Sequence, residues 1–588
     1  MKIVVLVKQV PRPDSIRFDE ETKSLQREGV PVELNPFDAA AVRHAVRLRD
    51  TAGGEVVALT MGPPQAEEAL RQCLALGADR AIHLSDRVFA VADTLGTSRT
   101  LALAIAKEGA DLVLAGRKST DSDTWQVPPE TAAFLGWPHL TSIAEFEPGD
   151  GGRIRVTGEA DEGYARWELQ LPAVLSVAHA DADVTGPGAD GRIDVWTAAD
   201  LVADVRPHDR RFGQTGSPTR VLAVRDVTPP RANATTSSVD EAEKLLRAKL
   251  EETSLPPSAW EKPERLGEKP GASYDSWTLV ELFRDGRPRR VSLELLGKGR
   301  ELAGKLGGEN VALILGSGLD EAAAEAARHG ADRVVLVDDE RLDGGHPDLQ
   351  AAALAQVVRE RRPHVLLVPS TPYGRDVGPR AAGELELGMT GDCVNLGIDR
   401  AGRLIQTKPA YGGNIVSVIM GATTPQLATV RARVFEPLEP RDVAPAIDRF
   451  ALADLPAPQL QAIGWEDADA SALDEAAVVV LAGPGVPADR IGELEEICRA
   501  HGAALGGTRE VCEAGLLPRN RHVGLNGRPV APRLLVALDV PGDTEQLCGF
   551  VKAGAVVSVG GGDGMRERSD VVFEGDAHAL LSTVLALA

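Results

Sequence analysis

The chain states one pattern twice, about 253 positions apart. Gly77-Ala78-Asp79-Arg80 leads through an apolar run and a helical pattern to Ala110-Asp111-Leu112-Val113-Leu114-Ala115-Gly116. Gly330-Ala331-Asp332-Arg333 leads through the same series to Pro363-His364-Val365-Leu366-Leu367-Val368-Pro369. Each copy then passes a turn into a helix opened by proline, Gln126-Val127-Pro128-Pro129-Glu130-Thr131-Ala132-Ala133 and Asp376-Val377-Gly378-Pro379-Arg380-Ala381-Ala382. Solenoid repeats have periods of about 20–50 residues. So long a spacing means a whole domain duplicated within one chain, and the turn is where the copies differ most.

Short apolar runs (Ile3–Val7, Val56–Thr60, Ala81–Leu84, Leu112–Ala115) alternate with helical patterns (Asp38–Arg49, Gln65–Leu76). Strands separated by helices of this length predict a parallel, doubly wound sheet. Residues 148–180 alternate apolar and polar residues and predict an antiparallel appendage. Prolines at 187, 207, 218, 229, 230, 256, 257, 263 and 270 read as a tether rather than a core. One helix interrupts it, Val239 to Glu252, with Ser237 or Ser238 as its N-cap. Ala453 to Ala462 reads as a second, shorter linker. A third unit follows, with buried-strand runs at Ala477–Leu481, Leu534–Leu538 and Ala555–Val559. The expected class is α/β: two homologous doubly wound domains, 1–200 and 274–450, a linker or tail with one helix at 201–273, and a third parallel α/β domain at 463–588.

With 87 acidic against 64 basic side chains the net charge is −23, which disfavours a nucleic-acid partner. Cys73, Cys393, Cys498, Cys512 and Cys548 are odd in number and widely spaced, so neither a disulfide framework nor a zinc site is expected. No apolar run approaches the ~20 residues of a membrane span, and the first residues enter a strand without a signal-peptide pattern. A cytoplasmic protein is expected.

Asp121-Ser122-Asp123-Thr124-Trp125-Gln126-Val127-Pro128-Pro129 lies between a buried strand and a helix. Asp123 or Thr124 is expected to cap that helix, whose free N–H groups form an anion site. Met61-Gly62-Pro63-Pro64 ends another strand. Two such ends side by side make the crevice in which open α/β sheets bind ligands, and a nucleotide phosphate suits it better than a metal. Trp125 either stacks on an adenine or flavin ring or belongs to the core. In the second copy, Ser370-Thr371-Pro372-Tyr373-Gly374-Arg375-Asp376 reads as a pocket filled by its own side chains. The third unit has three glycine-rich or helix-opening corners, at Gly506–Arg509, Val540–Thr544 and Gly560–Gly564. There is no Ser/His/Asp arrangement, GxSxG elbow or Walker sequence.

Taken together the chain resembles an electron transfer flavoprotein whose β and α subunits are fused, β first. The β-like signatures are Val7-Lys8-Gln9-Val10, Asn35-Pro36-Phe37-Asp38, Leu76–Ala81, the Asp121–Pro129 turn, Val195–Asp200 and Gly216–Val221. The α-like ones are Val291–Lys298, Gly374-Arg375-Asp376, Lys408-Pro409-Ala410-Tyr411-Gly412-Gly413-Asn414 and Ala428-Thr429-Val430-Arg431. The resemblance implies adenine nucleotide α-hydrolase-like folds for the two copies, joined as an intramolecular pseudo-heterodimer, and a Rossmann-like FAD domain after them. It implies FAD in that last domain and AMP, or a second FAD, in the first. The second FAD marks the branch associated with electron bifurcation from NADH. The partners it implies are a dehydrogenase donor and a membrane or flavoenzyme acceptor.

The first-domain positions carried over are Val7, Asn35, Gly62, Gly116, Asp121, Asp123, Thr124, Gln126 and Val127. Those in the last domain are Thr508, Arg509, Asn526, Gly542, Gln546 and Asp563, with Arg509 tuning the flavin and Arg431 approaching from the body. The departures sit in the last domain. Gly506-Gly507-Thr508-Arg509 stands for Gly-Ala-Ser-Arg, Leu525-Asn526-Gly527-Arg528 for Gln-Thr-Gly-Lys, and Gln546 for a histidine. Asp543 adds a carboxylate near the expected pyrophosphate. The alternative implied is a member that binds FAD or AMP only in the first domain, as a nucleotide-binding or NADH-oxidising module.

Overall fold

A computed structural model describes the chain except residues 13–16, 20–23, 27–28, 161, 180–187, 207, 227–230, 267–273, 344, 412–414, 468–472, 474 and 588. The prolines at 187, 207, 229, 230 and 270 and the Gly412-Gly413-Asn414 signature lie outside the described residues.

The duplication is literal in the sheets. In the first unit the neighbouring strands run Ile193–Trp196, Arg80–Leu84, Glu55–Met61, Lys2–Leu6, Leu112–Gly116, Ala173–Val177, His139–Pro148. In the second they run Ile447–Arg449, Arg333–Asp338, Asn310–Gly316, Ser276–Val280, Val365–Pro369, Gln426–Val430, Met389–Cys393. The order is the same, strand for strand, and all of these pairings are parallel. Alternate residues of one strand serve opposite faces. Ile3 and Val5 join the core under the helix Pro36–Ala52, whereas Val4 and Leu6 join the core under Thr94–Glu108. Both faces are thus covered, which is the doubly wound arrangement.

The two copies meet through corresponding helices. Helix Val127–Leu135 packs on helix Pro372–Glu384 so closely that a Cβ on Gly383 would lie 2.8 Å from Ala133 Cβ. Gln126 Nε2 donates to Met389 O (3.1 Å), and Arg380 Nη1 donates to Trp137 O (2.5 Å). Helix 372–384 contains Pro379 in its interior.

The third unit has a six-stranded parallel sheet among the described residues, in the order Ala234–Thr236, Val571–Phe573, Ala555–Val559, Leu534–Leu538, Val478–Ala482, Ala504–Gly507. Its first strand comes from the segment read as a tether. That reading is corrected: Ala242, Leu246 and Leu250 of helix Val239–Glu252 are buried in the third unit's core. Thr219–Asp226 pairs antiparallel with Ile415–Gly421 of the second unit. The shorter linker is corrected likewise: Leu460–Asp467 pairs antiparallel with Gly163–Gln170 and extends the first sheet to ten strands among the described residues. The expected appendage is the antiparallel run Arg153–Ala160 and Gly163–Gln170, after which Ala173–Val177 returns to the parallel sheet. All five cysteines are buried and free.

Candidate functional site

In the first sheet the chain leaves Lys2–Leu6 in opposite directions on its two sides, toward Glu55–Met61 and Leu112–Gly116. A crevice opens outside the carboxyl ends of strands that part in this way. Asp38 sets its geometry. One carboxylate oxygen accepts from Lys8 N (2.8 Å) and the other from Gly116 N (3.0 Å), tying the two strand ends together. Burial pushes the Asp38 carboxyl up to about 7. Gly116 is required there, because a Cβ would lie 2.4 Å from that carboxylate.

Val7 N donates to Leu59 O (2.9 Å), and Val7 O accepts from Thr60 Oγ1 (2.7 Å). Asn35, fully buried, donates to Lys118 O (2.9 Å) and accepts from Thr120 N (3.3 Å), so it holds the start of the turn. Asp121 pairs with Lys8 Nζ at 2.7 Å. Burial alone would raise its carboxyl, but Lys8 holds it below the usual carboxylate range. Gly62 stands one strand further out, its N–H on Leu84 O (3.1 Å).

The predicted cap on helix Val127–Leu135 is not made. Its N-cap is Gln126, with no side-chain cap bond. Asp123 instead accepts from Trp125 Nε1 (3.0 Å) and pairs with Lys118 Nζ (3.1 Å). Asp123 and Trp125 both have positive φ, +49° and +64°, which draws the turn into a tight knot and turns Asp123 away from the helix end. Thr124 O packs on Gly391, where a Cβ would come within 2.5 Å. Gln126 is buried; its carboxamide spans Met389 O and Thr94 Oγ1, so it faces the second unit. Val127 begins the helix beside it. Hydrogen bonds and ion pairs thus gather Asn35, Gly116, Asp121 and Asp123 about the ends of these strands, with Val7 at the end of Lys2–Leu6; Gly62 stands one strand further out, and Gln126 faces the second unit.

Lys408 and Arg375 stand in the α-like signatures, but nothing in the sequence placed them at this turn of the first unit, and Arg117 and Lys118 lie in no motif. Lys408 of the second unit donates to the carbonyls of Ser122 and Asp123. Arg375 lies over the Trp125 ring, 3.9 Å from its centroid, with Arg117 at 4.9 Å and Lys118 at 5.3 Å. The second-copy turn is thus not merely self-filled, because Arg375 reaches into the first unit. Trp125 is 5% exposed and caged by cations. Burial, with Arg528 and Arg375 nearby, pushes the Arg117 guanidinium down to about 10. Arg117 and Lys118 follow the buried strand directly, a position the strand-end rule covers but no motif names.

Arg117 also touches the third unit, donating to Gly527 O (2.8 Å). There the corners converge. Fully buried Thr508 opens helix Arg509–Glu513. Arg509 lies 3.8 Å from Glu545, and Asn526 Nδ2 donates to the same carboxylate (3.4 Å). Gly542, φ +80°, abuts the backbone of Gly564 and Met565, which brings Asp563 alongside. Gln546 Oε1 accepts from Gly542 N (3.4 Å), and Asp543 caps its own short helix through Gln546 N (2.9 Å). His522 stands where no signature marked it; burial, with Arg117 and Arg509 near, pushes it down to about 4.

One acceptor in this crevice is left open to a bound group: Asn526 Oδ1 is buried with no hydrogen-bond partner among the described residues. Thr508, Arg509 and Asn526 stand on one side of the crevice, and Gly542 permits close backbone approach. Arg431 approaches from the body, paired with Asp392 and lining a cavity with Arg528.

The family model described as "Electron transfer flavoprotein domain" matches residues 22–201 and 276–455. "Electron transfer flavoprotein FAD-binding domain" matches residues 472–551. The chain is 34% identical over 293 residues to the electron transfer flavoprotein subunit alpha of Clostridium acetobutylicum, covering 48% of this chain and 87% of that protein. It is 38% identical over 259 residues to the subunit beta of Thermoanaerobacterium thermosaccharolyticum, covering 42% of this chain and 98% of that protein. Protein FixA of Azorhizobium caulinodans is 39% identical over 249 residues, 40% of this chain and 86% of FixA.

Proposed function

The chain belongs to the electron transfer flavoprotein family, and from that premise we propose that it carries electrons through FAD held in the third unit. The donor in this reading is a dehydrogenase and the acceptor a quinone oxidoreductase or another flavoenzyme. The observation that carries it is the meeting of Thr508, Arg509, Asn526, Gly542, Gln546 and Asp563, with Asn526 Oδ1 left unpartnered. The divisions 1–200, 201–273, 274–450 and 463–588 belong to the same reading.

Bound FAD supplies the redox chemistry, and the protein supplies orientation and charge. Arg509 places a fixed positive charge at the crevice, paired at 3.7 and 3.8 Å with Glu513 and Glu545. Asn526 offers both an acceptor and an N–H. His522, neutral at pH 7, adds no charge. The first crevice takes the adenylate of AMP or of a second FAD, its phosphate turned to Lys8 and the backbone N–H groups of the turn. No helix among the described residues is long and apolar enough to cross a membrane.

A second reading, with FAD or AMP held only in the first unit, draws on Asp543 and Gln546, whose side chains are already engaged with their own corner. Paired variants separate the two. Loss of bound FAD from Asn526→Ala with Arg509→Gln, and not from Asp123→Ala with Thr124→Ala, supports the third-unit site. The reverse pattern supports the second reading.

A further inference from the structure

A cavity of about 470 Å³ lies where the tail of the first unit, the second unit and the third unit meet. None of the residues assigned above to either nucleotide crevice lines it. Its volume is within the range of small-molecule sites. Leu250, Leu255 and Pro257 of the tail, Leu438 of the second unit and Pro532 of the third give it apolar walls.

Its charged groups are unevenly paired. Arg290 is taken by Glu294 (3.0 Å) and Glu436 (2.9 Å). Arg433 donates its backbone N–H to Glu294 and its guanidinium to Glu475 O. Lys552 and Arg533 have no hydrogen-bonding or carboxylate partner for their side chains among the described residues, and of the lining acids only Glu439 remains beside them. An exposed lone cation, such as Arg533, is ordinary. Lys552 is half-buried, and burial with Arg431 nearby lowers its ammonium below the ordinary lysine value. In a chain of net charge −23, two such cations beside an apolar wall form the complement of an anion with an apolar body.

We infer that this cavity binds a small organic anion of about nucleoside-monophosphate size. Its phosphate, sulfonate or carboxylate head sits on Lys552 and Arg533, and its flat body lies against Leu250, Leu255 and Leu438. Because the walls come from all three units, an occupant ties the third unit to the second and to the tail.

The test is a fluorescence titration with 1-anilinonaphthalene-8-sulfonate, on the full chain saturated with FAD and AMP. The expected result is a single saturable site that neither cofactor displaces. The double variant Lys552→Met, Arg533→Gln should weaken it by about tenfold or more, the loss of two charge-assisted contacts. N-phenyl-1-naphthylamine, the same body without the sulfonate, should bind both proteins equally. Displacement by FAD or AMP, an unchanged affinity in the variant, or no saturable site each overturns the inference. Should the variant not fold, competition by inorganic phosphate at constant ionic strength decides in the unaltered protein: displacement of the probe supports the site, and no displacement overturns it.

Discussion

The guanidinium of Arg375, in the second copy, lies 3.9 Å from the ring centroid of Trp125, in the first. The two residues stand in corresponding turns of a duplicated domain, and each has become a partner for the other. Trp125 is buried, and its Nε1 is spent on Asp123, so the contact fixes both the turn and its seat on the second unit.

Trp125→Ala should therefore lower the unfolding free energy by about 3–5 kcal/mol, the usual cost of deleting a buried large aromatic. Trp125→Phe keeps a ring beneath Arg375 and should recover most of the loss. Urea denaturation of the three proteins checks this. Equal destabilisation by Phe and Ala would show that the ring face contributes nothing.

Asp376 predicts a pH effect of definite sign. Burial raises its carboxyl from 3.8 to about 7, against hydrogen bonds from Thr141 that oppose the shift. Between those values the folded chain holds a proton that the unfolded chain has released, so stability falls as pH rises through this window. Asp376→Asn mimics the neutral acid. Relative to that variant, the wild-type urea midpoint should drop between pH 4 and pH 7; a constant difference would refute the shift.

Cutting the chain within 267–272, outside the described residues, should leave the halves together. The N-terminal piece contributes Ala234–Thr236 to the third unit's sheet and helix Val239–Glu252 to its core. Size-exclusion chromatography at micromolar concentration should show one species of full-length mass. Two separate species would contradict this interlocking.

Much of this architecture was legible because repetition and buried parallel strands write themselves into sequence. The matching of Gly77–Arg80 with Gly330–Arg333 led to two sheets of one strand order. Helix Val239–Glu252 and its Ser238 cap stood in the local pattern. Thr219–Asp226 and Leu460–Asp467 did not, because each is an edge strand whose partner is far away in sequence, and proline-rich flanks hide a strand that only pairing creates. The same holds for the site. Asn35, Asp121 and Asp123 sit in recognisable motifs; Lys408 does too, but its reach into the first unit comes from tertiary packing, and His522 lies in no motif at all. The cap expected from Asp123 or Thr124 is not made, because positive backbone φ at Asp123 and Trp125 redirects the turn.

The crevice around Asn526 and Arg509 is most directly tested by the visible absorbance spectrum of the purified chain, with FAD and AMP released on denaturation and counted per chain. The account predicts a flavin spectrum with at least one FAD per chain, reduced about tenfold or more in affinity by Arg509→Gln with Asn526→Ala, which remove a fixed charge and a buried acceptor. A colourless protein that neither retains nor takes up FAD would contradict it.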